Sequence, residues 1–370
     1  MGLWSSSQWK VRTVITWFAI VSVACTVMMY AAGGSWMQHS LRRGFEAYHS
    51  QFQSSDVVRD RHELPWRRES APAELGDHIS VEFPGLENIL ERAAMPDRTI
   101  ILTTLNQAWA QPNTMIDLYL ESFRSGEETS QLLDHLVIVA LDLVAYDKCK
   151  LLHAFCYMLK TEDVDFSGEK FFMTEDYLKM MWRRIYFLKI VLELGFNFVF
   201  SDADVMWIRN PFPRFDKFAD FQIACDAYTG IPEDMNNRPN GGFVYARSNK
   251  RTIDFYNYWY MSRVDHPGLH DQDVLGKIKT DQDFLDIGLQ LRFLDTLQFS
   301  GFCQISNNFE QVCTMHANCC TGLQRKLMDL RLVMEDWRRF KLLTPQMKYH
   351  QRIYWRAPRQ CLVSKFEDKP

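Results

Sequence analysis

The sequence predicts an α/β fold, a mixed but mostly parallel sheet flanked by helices, and three observations carry that expectation. Short apolar runs rich in β-branched residues alternate with helical stretches from Asp97 onward. The first two runs enclose a helix, which is the pattern of a parallel crossover. An acidic triplet then stands where a later run ends, at the carboxyl edge where open α/β sheets bind ligands.

Taken in chain order, residues 99–105 (TIILTTL) and 136–141 read as buried strands, with a helix over 112–123 that has Pro112 in its first turn. Helices follow over 149–159 and 177–194, the second closed by Gly195, and then a strand over 196–201. Further strands are expected at 219–225, 242–246, 291–294 and 312–316, and further helices at 251–262, 272–278 and 322–340. The run Phe255-Tyr256-Asn257-Tyr258-Trp259-Tyr260 can pass for a carbohydrate-stacking platform, but aromatics at helical spacing more often pack a core.

At 370 residues the chain suits one catalytic domain with attachments, since single cores stop growing near about 250–300 residues. A hydrophobic fraction of 47% is ample for a core, and a net charge of −4 with scattered basic residues excludes a nucleic-acid partner as the default. Residues 14–32 carry no charge, and at about 1.5 Å per residue they approach the roughly 30 Å apolar thickness of a bilayer. That run exceeds the roughly 7–15 residues of a signal-peptide core, so an uncleaved transmembrane anchor is the better reading. Lys10 and Arg12 before it favour a cytosolic tail over 1–13 and a lumenal remainder. Residues 33–96 are polar and broken by Pro65, Pro72 and Pro84, which suits a stem; 97–345 hold the catalytic domain and 346–370 a C-terminal extension.

A lumenal address makes disulfides the expected use of the cysteines outside the span. Pairing is not deducible from the sequence, but Cys319 and Cys320 are poorly placed to bond to each other. No Cys/His spacing suggests zinc, and no Asn-X-Ser/Thr acceptor is present.

The chemistry centres on Asp202-Ala203-Asp204 after the apolar run Phe198-Val199-Phe200. In extended chain alternate side chains share a side, so both carboxylates can meet one hard divalent cation, Mn²⁺ or Mg²⁺. A solvated acidic turn is the bland alternative. His316, at a strand end, suits a third ligand as a neutral imidazole, although histidines in such places are more often structural. Asn240-Gly241-Gly242 reads as a turn whose glycines admit a ligand close to the backbone, and His270-Asp271-Gln272-Asp273 as a helix start.

These segments together, from Trp182-Arg183-Arg184 through Asn210-Pro211-Phe212 and on to Met315-His316-Ala317-Asn318-Cys319-Cys320, closely resemble plant nucleotide-diphospho-sugar transferases of glycosyltransferase family 77. The resemblance runs from about Thr99 to Phe340. It implies a GT-A (Rossmann-like) fold, a type II Golgi membrane protein, a divalent metal, and retaining transfer from a UDP-sugar to a glycan or glycoprotein acceptor. Relatives of that kind include cell-wall arabinosyl- and xylosyltransferases. Carried over residue by residue, Asp202, Asp204 and His316 are the implied metal ligands, and Gln272 and Asp273 the implied catalytic face. Thr103, Thr104, Asn106, Arg184, Asp202, Asn240, Gly241, Gly242 and Lys326 are the implied donor-binding residues, with Arg183, Lys189 and Arg325 as rivals for the basic roles. Two other readings remain: a catalytically inactive, membrane-tethered carbohydrate- or nucleotide-sugar-binding protein, and a phosphatase using Asp202 as nucleophile. The position of the triplet, after at least two strands, disfavours the phosphatase.

Overall fold

Strand β1 (Thr99–Leu105) is flanked by β2 (Leu136–Ala140) and β4 (Asn197–Ser201), both parallel to it, with β3 (Cys156–Met158) beyond β2. On the other side β7 (Arg238–Ala246) runs antiparallel to β4 and to β6 (Phe221–Ala227), and β8 (Leu291–Phe293) closes the edge parallel to β6. The resulting order is β3-β2-β1-β4-β7-β6-β8. This is a computed structural model, and it describes residues 79–161, 168, 173–350 and 353–362.

Alternation along the central strands sends successive side chains to opposite faces and so builds two cores. Ile101, Ile138 and Val199 pack with helix α2 (Met115–Ser125) and with α8 (Leu323–Lys341). Ile100, Val137 and Phe198 pack on the other face with α4 (Glu175–Glu193) and α5 (Lys250–Met261). Phe255, Tyr256 and Trp259 of α5 are buried there, so the aromatic run serves the core. In chain order α1 (Leu86–Ala93) precedes α2, α3 (Leu143–Leu152) lies between α2 and α4, and α6 (Asp271–Ile278) and α7 (Gln282–Ile287) follow α5.

Several expectations are revised. The helix expected over 149–159 ends at Leu152, and Cys156–Met158 is strand β3; a Cys149–Cys156 disulfide ties the two. Asn240-Gly241-Gly242 is no turn but lies inside β7, where the pairing on β6 jumps from Ile223↔Val244 to Ala224↔Asn240. Such a bulge kinks a strand and re-aims its side chains, commonly beside a site. Within the expected stem, Phe83, Leu86 and Leu90 are buried against the sheet's second core. Within the expected extension, Trp355 and Cys361 are buried, and Cys361 is bonded to Cys320. Cys303–Cys319 is the third disulfide among the described residues, so the adjacent cysteines take separate partners, while Cys225 and Cys313 are buried thiols. Among the described residues no helix is long and apolar enough to cross a membrane; the expected span over 14–32 lies outside them.

Candidate active site

The acidic triplet reaches its partners through a second, three-stranded sheet of order β5-β10-β9. After β4 the chain turns sharply, with Val205 N–H donating to the Asp202 carbonyl at 3.1 Å, and re-enters as β5 (Val205–Trp207). β5 pairs antiparallel with β10 (Thr314–His316), placing Val205 opposite His316, and β9 (Phe299–Gly301) lies beyond. Trp207 pins the turn: its indole N–H donates to Ser201 Oγ at 3.1 Å and its ring stacks on Phe123 at 4.4 Å. The pairing brings His316 Nε2 to 3.3 Å from Asp204 Oδ1, and Ala317 N–H donates to the Asp204 carbonyl at 3.1 Å.

Ligand atoms of Asp202, Asp204 and His316 lie within 4.8 Å of one another. Two carboxylate oxygens and an imidazole nitrogen are a donor set that suits Mn²⁺ or Mg²⁺, so these residues fit a divalent cation. Lys326, from the start of α8, donates from Nζ to Asp204 Oδ2 at 2.7 Å. Burial works to raise the Asp204 carboxyl, but the Lys326 ammonium and the His316 imidazole outweigh it and hold the group well below the ordinary carboxylate range. Burial pushes Asp202 the other way, upward, against the opposing charge of Arg184.

Arg184 is a buried residue of α4 rather than a surface one. One of its amino groups donates to Asp271 Oδ2 at 2.6 Å and the other to Asp202 Oδ1 at 3.1 Å. Burial opposes its charge, and the Asp271 and Asp202 carboxylates more than restore it. Arg184 therefore orders the acidic loop and is committed to two carboxylates.

At the far side of the cleft a carboxylate that the sequence reading missed gathers three amides. Asp226, at the end of β6, accepts from Asn240 Nδ2 at 2.8 Å, from Asn318 Nδ2 at 2.9 Å and from Gln272 Nε2 at 3.0 Å. Gln272 also accepts from Gly241 N–H through Oε1 at 3.1 Å, so both ends of its amide are fixed. Gly242 is bare for a steric reason: a Cβ there would lie 2.4 Å from His316 Cε1 and 2.7 Å from Asp202 Oδ2.

The cleft enclosed by these groups has a volume of about 410 Å³ and is also lined by Thr104, Asn106, Trp109 and Tyr177. Three expected residues fall outside the lining: Thr103, Asp273 and Gly241, the last of which reaches the cleft only through its N–H to Gln272. Thr103 is fully buried on the face that carries Ile101 and Leu105, because strand alternation gives the cleft to its neighbour Thr104. Asp273 has a half-exposed carboxylate 3.4 Å from His270 Nε2, while Asp271, two positions earlier on the helix, is buried and faces Arg184. His270 caps that helix through Nδ1, which accepts from Gln272 N–H. Of the rival basic residues, Arg183 pairs with Glu82 and Lys189 with Glu193, away from the cleft. Asp226 carries the same signal that marked Asp202, an acidic residue ending a strand, and Asn318 sits just past β10.

Residues 131–330 match the family described as nucleotide-diphospho-sugar transferase. The chain belongs to that family. An uncharacterized protein of Arabidopsis thaliana, At4g15970, is 50% identical over 286 residues, which cover 77% of this chain and 76% of its own length. The Arabidopsis thaliana beta-arabinofuranosyltransferase RAY1 is 42% identical over 66 residues, 17% of this chain and 12% of its own. Among solved structures, that of mouse xyloside xylosyltransferase 1 in its apo form is similar at a TM-score of 0.37 and 15% identity, covering 60% of this chain and 98% of that one. As a member of the nucleotide-diphospho-sugar transferases, the protein is a glycosyltransferase whose donor is a nucleotide-sugar.

Proposed function

We infer that the protein is a retaining, GT-A-type glycosyltransferase of family 77 that moves a sugar of arabinose, xylose or galactose type from UDP to a cell-wall polysaccharide or glycoprotein. The observation that carries this reading is the division of one cleft into two ends. Asp202, Asp204, His316 and Lys326 gather at one end, and Asp226, Asn240 and Gln272 at the other. A volume of about 410 Å³ lies within the range of small-ligand pockets, roughly 300–1,000 Å³. The arabinofuranosyltransferase named among the relatives supports a pentose donor.

A divalent cation held by Asp202, Asp204 and His316 would neutralise charge on the departing diphosphate. Lys326 adds a fixed positive charge at the same end, which stabilises the leaving group as the anomeric C–O bond breaks. The amides of Asn240 and Gln272, immobilised on Asp226, orient the sugar's hydroxyls and hold the anomeric carbon toward the acceptor. The acceptor oxygen then bonds to that carbon on the face the diphosphate leaves, and its proton passes to the departing diphosphate oxygen. Gln272 is assigned to the catalytic face, and Asp271 rather than Asp273 supports it, accepting from Gln272 N–H through Oδ1 at 2.9 Å and from Arg184 through Oδ2 at 2.6 Å. In the cell we place the catalytic domain in the Golgi lumen, anchored by residues 14–32 with residues 1–13 cytosolic.

The test is Asp204→Asn in the full chain. Mn²⁺-dependent hydrolysis of a UDP-sugar should be lost while the melting temperature is retained, and UDP binding in the presence of Mn²⁺ should weaken. Undiminished hydrolysis in the variant refutes the reading. Binding without turnover in the wild type, across a panel of UDP-sugars, favours the inactive nucleotide-sugar-binding alternative.

A further inference from the structure

A second and larger depression of about 870 Å³ opens to solvent beside the cleft, and nothing in the chemistry above uses it. The two are walls of one strand exit. Asp226 lines the cleft, and Tyr228, two residues further along the same chain segment, lines the groove. The junction is braced: Tyr228 N–H donates to Gln304 Oε1 at 2.6 Å, and the neighbouring Cys303 is bonded to Cys319, a cleft-lining residue. Cys303 Sγ in turn lies 3.3 Å from Asp226 Oδ1. The groove therefore begins where the sugar-facing end of the cleft stops.

Most of its lining is uncharged, with Asp295, Glu310 and Lys348 the charged members. Thr229, Asn307 and Asn308 offer hydroxyl and amide groups and Tyr228 an aromatic ring, while Phe309 is buried and stacked on Trp355. The cation Lys348 is paired with Glu310 at 3.3 Å, which cancels the charge at the outer end. Amides and hydroxyls in front of aromatic faces suit the alternating hydroxyl edges and C–H faces of sugar rings. A groove with paired charge gives a polyanion no counter-charge.

We propose that this groove is an extended acceptor subsite that holds an uncharged oligosaccharide, with its reactive end directed past Tyr228 toward Asp226. The proposal rests on the glycosyltransferase reading and adds to it the class of acceptor and the direction from which it enters. It makes the acceptor a chain of sugars rather than a single sugar or a bare peptide.

The experiment uses the full chain and a panel of arabinan-, xylan- and galactan-derived oligosaccharides, with the matching monosaccharides and an unglycosylated hydroxyproline-rich peptide as comparisons. Thr229→Trp fills the groove from an exposed position, and Asn307→Ala removes one amide without adding bulk. Binding is measured by calorimetry without donor, so the result does not depend on turnover. At least one oligosaccharide should bind the wild type and the Asp204→Asn variant alike. Its affinity should fall by about tenfold or more in Thr229→Trp, equivalent to about 1.4 kcal/mol, and by less in Asn307→Ala. UDP-sugar hydrolysis should be unchanged by Thr229→Trp. Where transfer is measured, the loss should fall on oligosaccharide acceptors and spare monosaccharides. The proposal is overturned if no oligosaccharide binds, if the peptide binds as well as the glycans, or if Thr229→Trp leaves glycan binding intact. Absent UDP-sugar hydrolysis combined with groove-dependent glycan binding would instead sink the glycosyltransfer reading and leave the groove assignment standing.

Discussion

Adding one methyl group at Gly242 should disable the site without unfolding the protein. The new Cβ would stand 2.4 Å from His316 Cε1, 2.7 Å from Asp202 Oδ2 and 3.0 Å from Asn240 Oδ1. Carbon atoms in contact rest at about 3.5–4.0 Å, so the imidazole must retreat by about 1 Å. It is buried against Asp204, and β10 fixes its backbone, so the retreat comes from side-chain rotation that opens the Asp202, Asp204 and His316 cluster. A misplacement of about 1 Å at a reacting centre costs on the order of 10²-fold in rate, or about 2.7 kcal/mol of barrier. Overpacking of this kind costs about 1–3 kcal/mol in stability. The same methyl group at Gly241 would meet Arg184 at 3.5 Å and Asp271 at 3.8 Å, ordinary contact distances, so its loss should be far smaller. The assay is kcat/KM for UDP-sugar hydrolysis as a function of Mn²⁺, with Mn²⁺ affinity by calorimetry and the melting temperature as a check on folding. Wild-type Mn²⁺ affinity and kcat/KM in Gly242→Ala would refute the packing argument and, with it, the assignment of His316 to the cation.

Arg184→Met should destabilise the domain by about 3–5 kcal/mol in chemical denaturation, because it strands the buried Asp271 carboxylate; Arg184→Met with Asp271→Leu should recover part of that, and equal losses would argue against the pair. Burial works to raise Asp271, but the Arg184 guanidinium wins and lowers it from the ordinary 3.8 to about 2. A depressed carboxyl contributes stability above its unfolded value and loses it as pH falls through the folded one. The pair should therefore add about 2 kcal/mol above pH 4 that disappears toward pH 2, and Asp271→Asn should flatten that part of the stability profile. Replacing Cys320 and Cys361 with Ser opens a loop of sequence separation 41; about 4 kcal/mol of stabilisation should be lost, seen as a lower melting temperature, and an unchanged temperature would show that the C-terminal segment stays docked without it.

The long strands were legible because residues 99–105, 136–141 and 196–201 are mostly buried on both faces and read as short runs dominated by apolar and β-branched residues. Strands β3, β5 and β9 were not recognised, being placed by partners far along the chain, whereas the equally short β8 and β10 were expected. The site followed the same rule. Asp202 and Asp204 announced themselves after a long strand, whereas the choice of Asp271 over Asp273 depends on helix phase against α4, and Asp226 on amides that arrive from β7, α6 and the segment after β10. Asn240-Gly241-Gly242 looked like a turn because a bulge and a turn share the same residue preferences. The C-terminal limit was obscured because Trp355 is a large anchor in polar surroundings, whereas Phe83, Leu86, Leu90 and Ala93 do follow a helical period inside the expected stem.

The pairing of β5 with β10 also has a meaning for how the chain folds. Lys326 stands 122 positions from Asp204, and His316 reaches the acidic loop only once that ladder has zipped. The cation cluster is thus assembled by a high-contact-order step, one that loop-closure entropy makes slow. An ion that binds the finished cluster and not the open chain would act as a thermodynamic latch on that step. At 100 times its dissociation constant it would shift the folding equilibrium by about 2.7 kcal/mol. Cation supply would then govern how much of the chain matures as well as how fast the mature enzyme turns over.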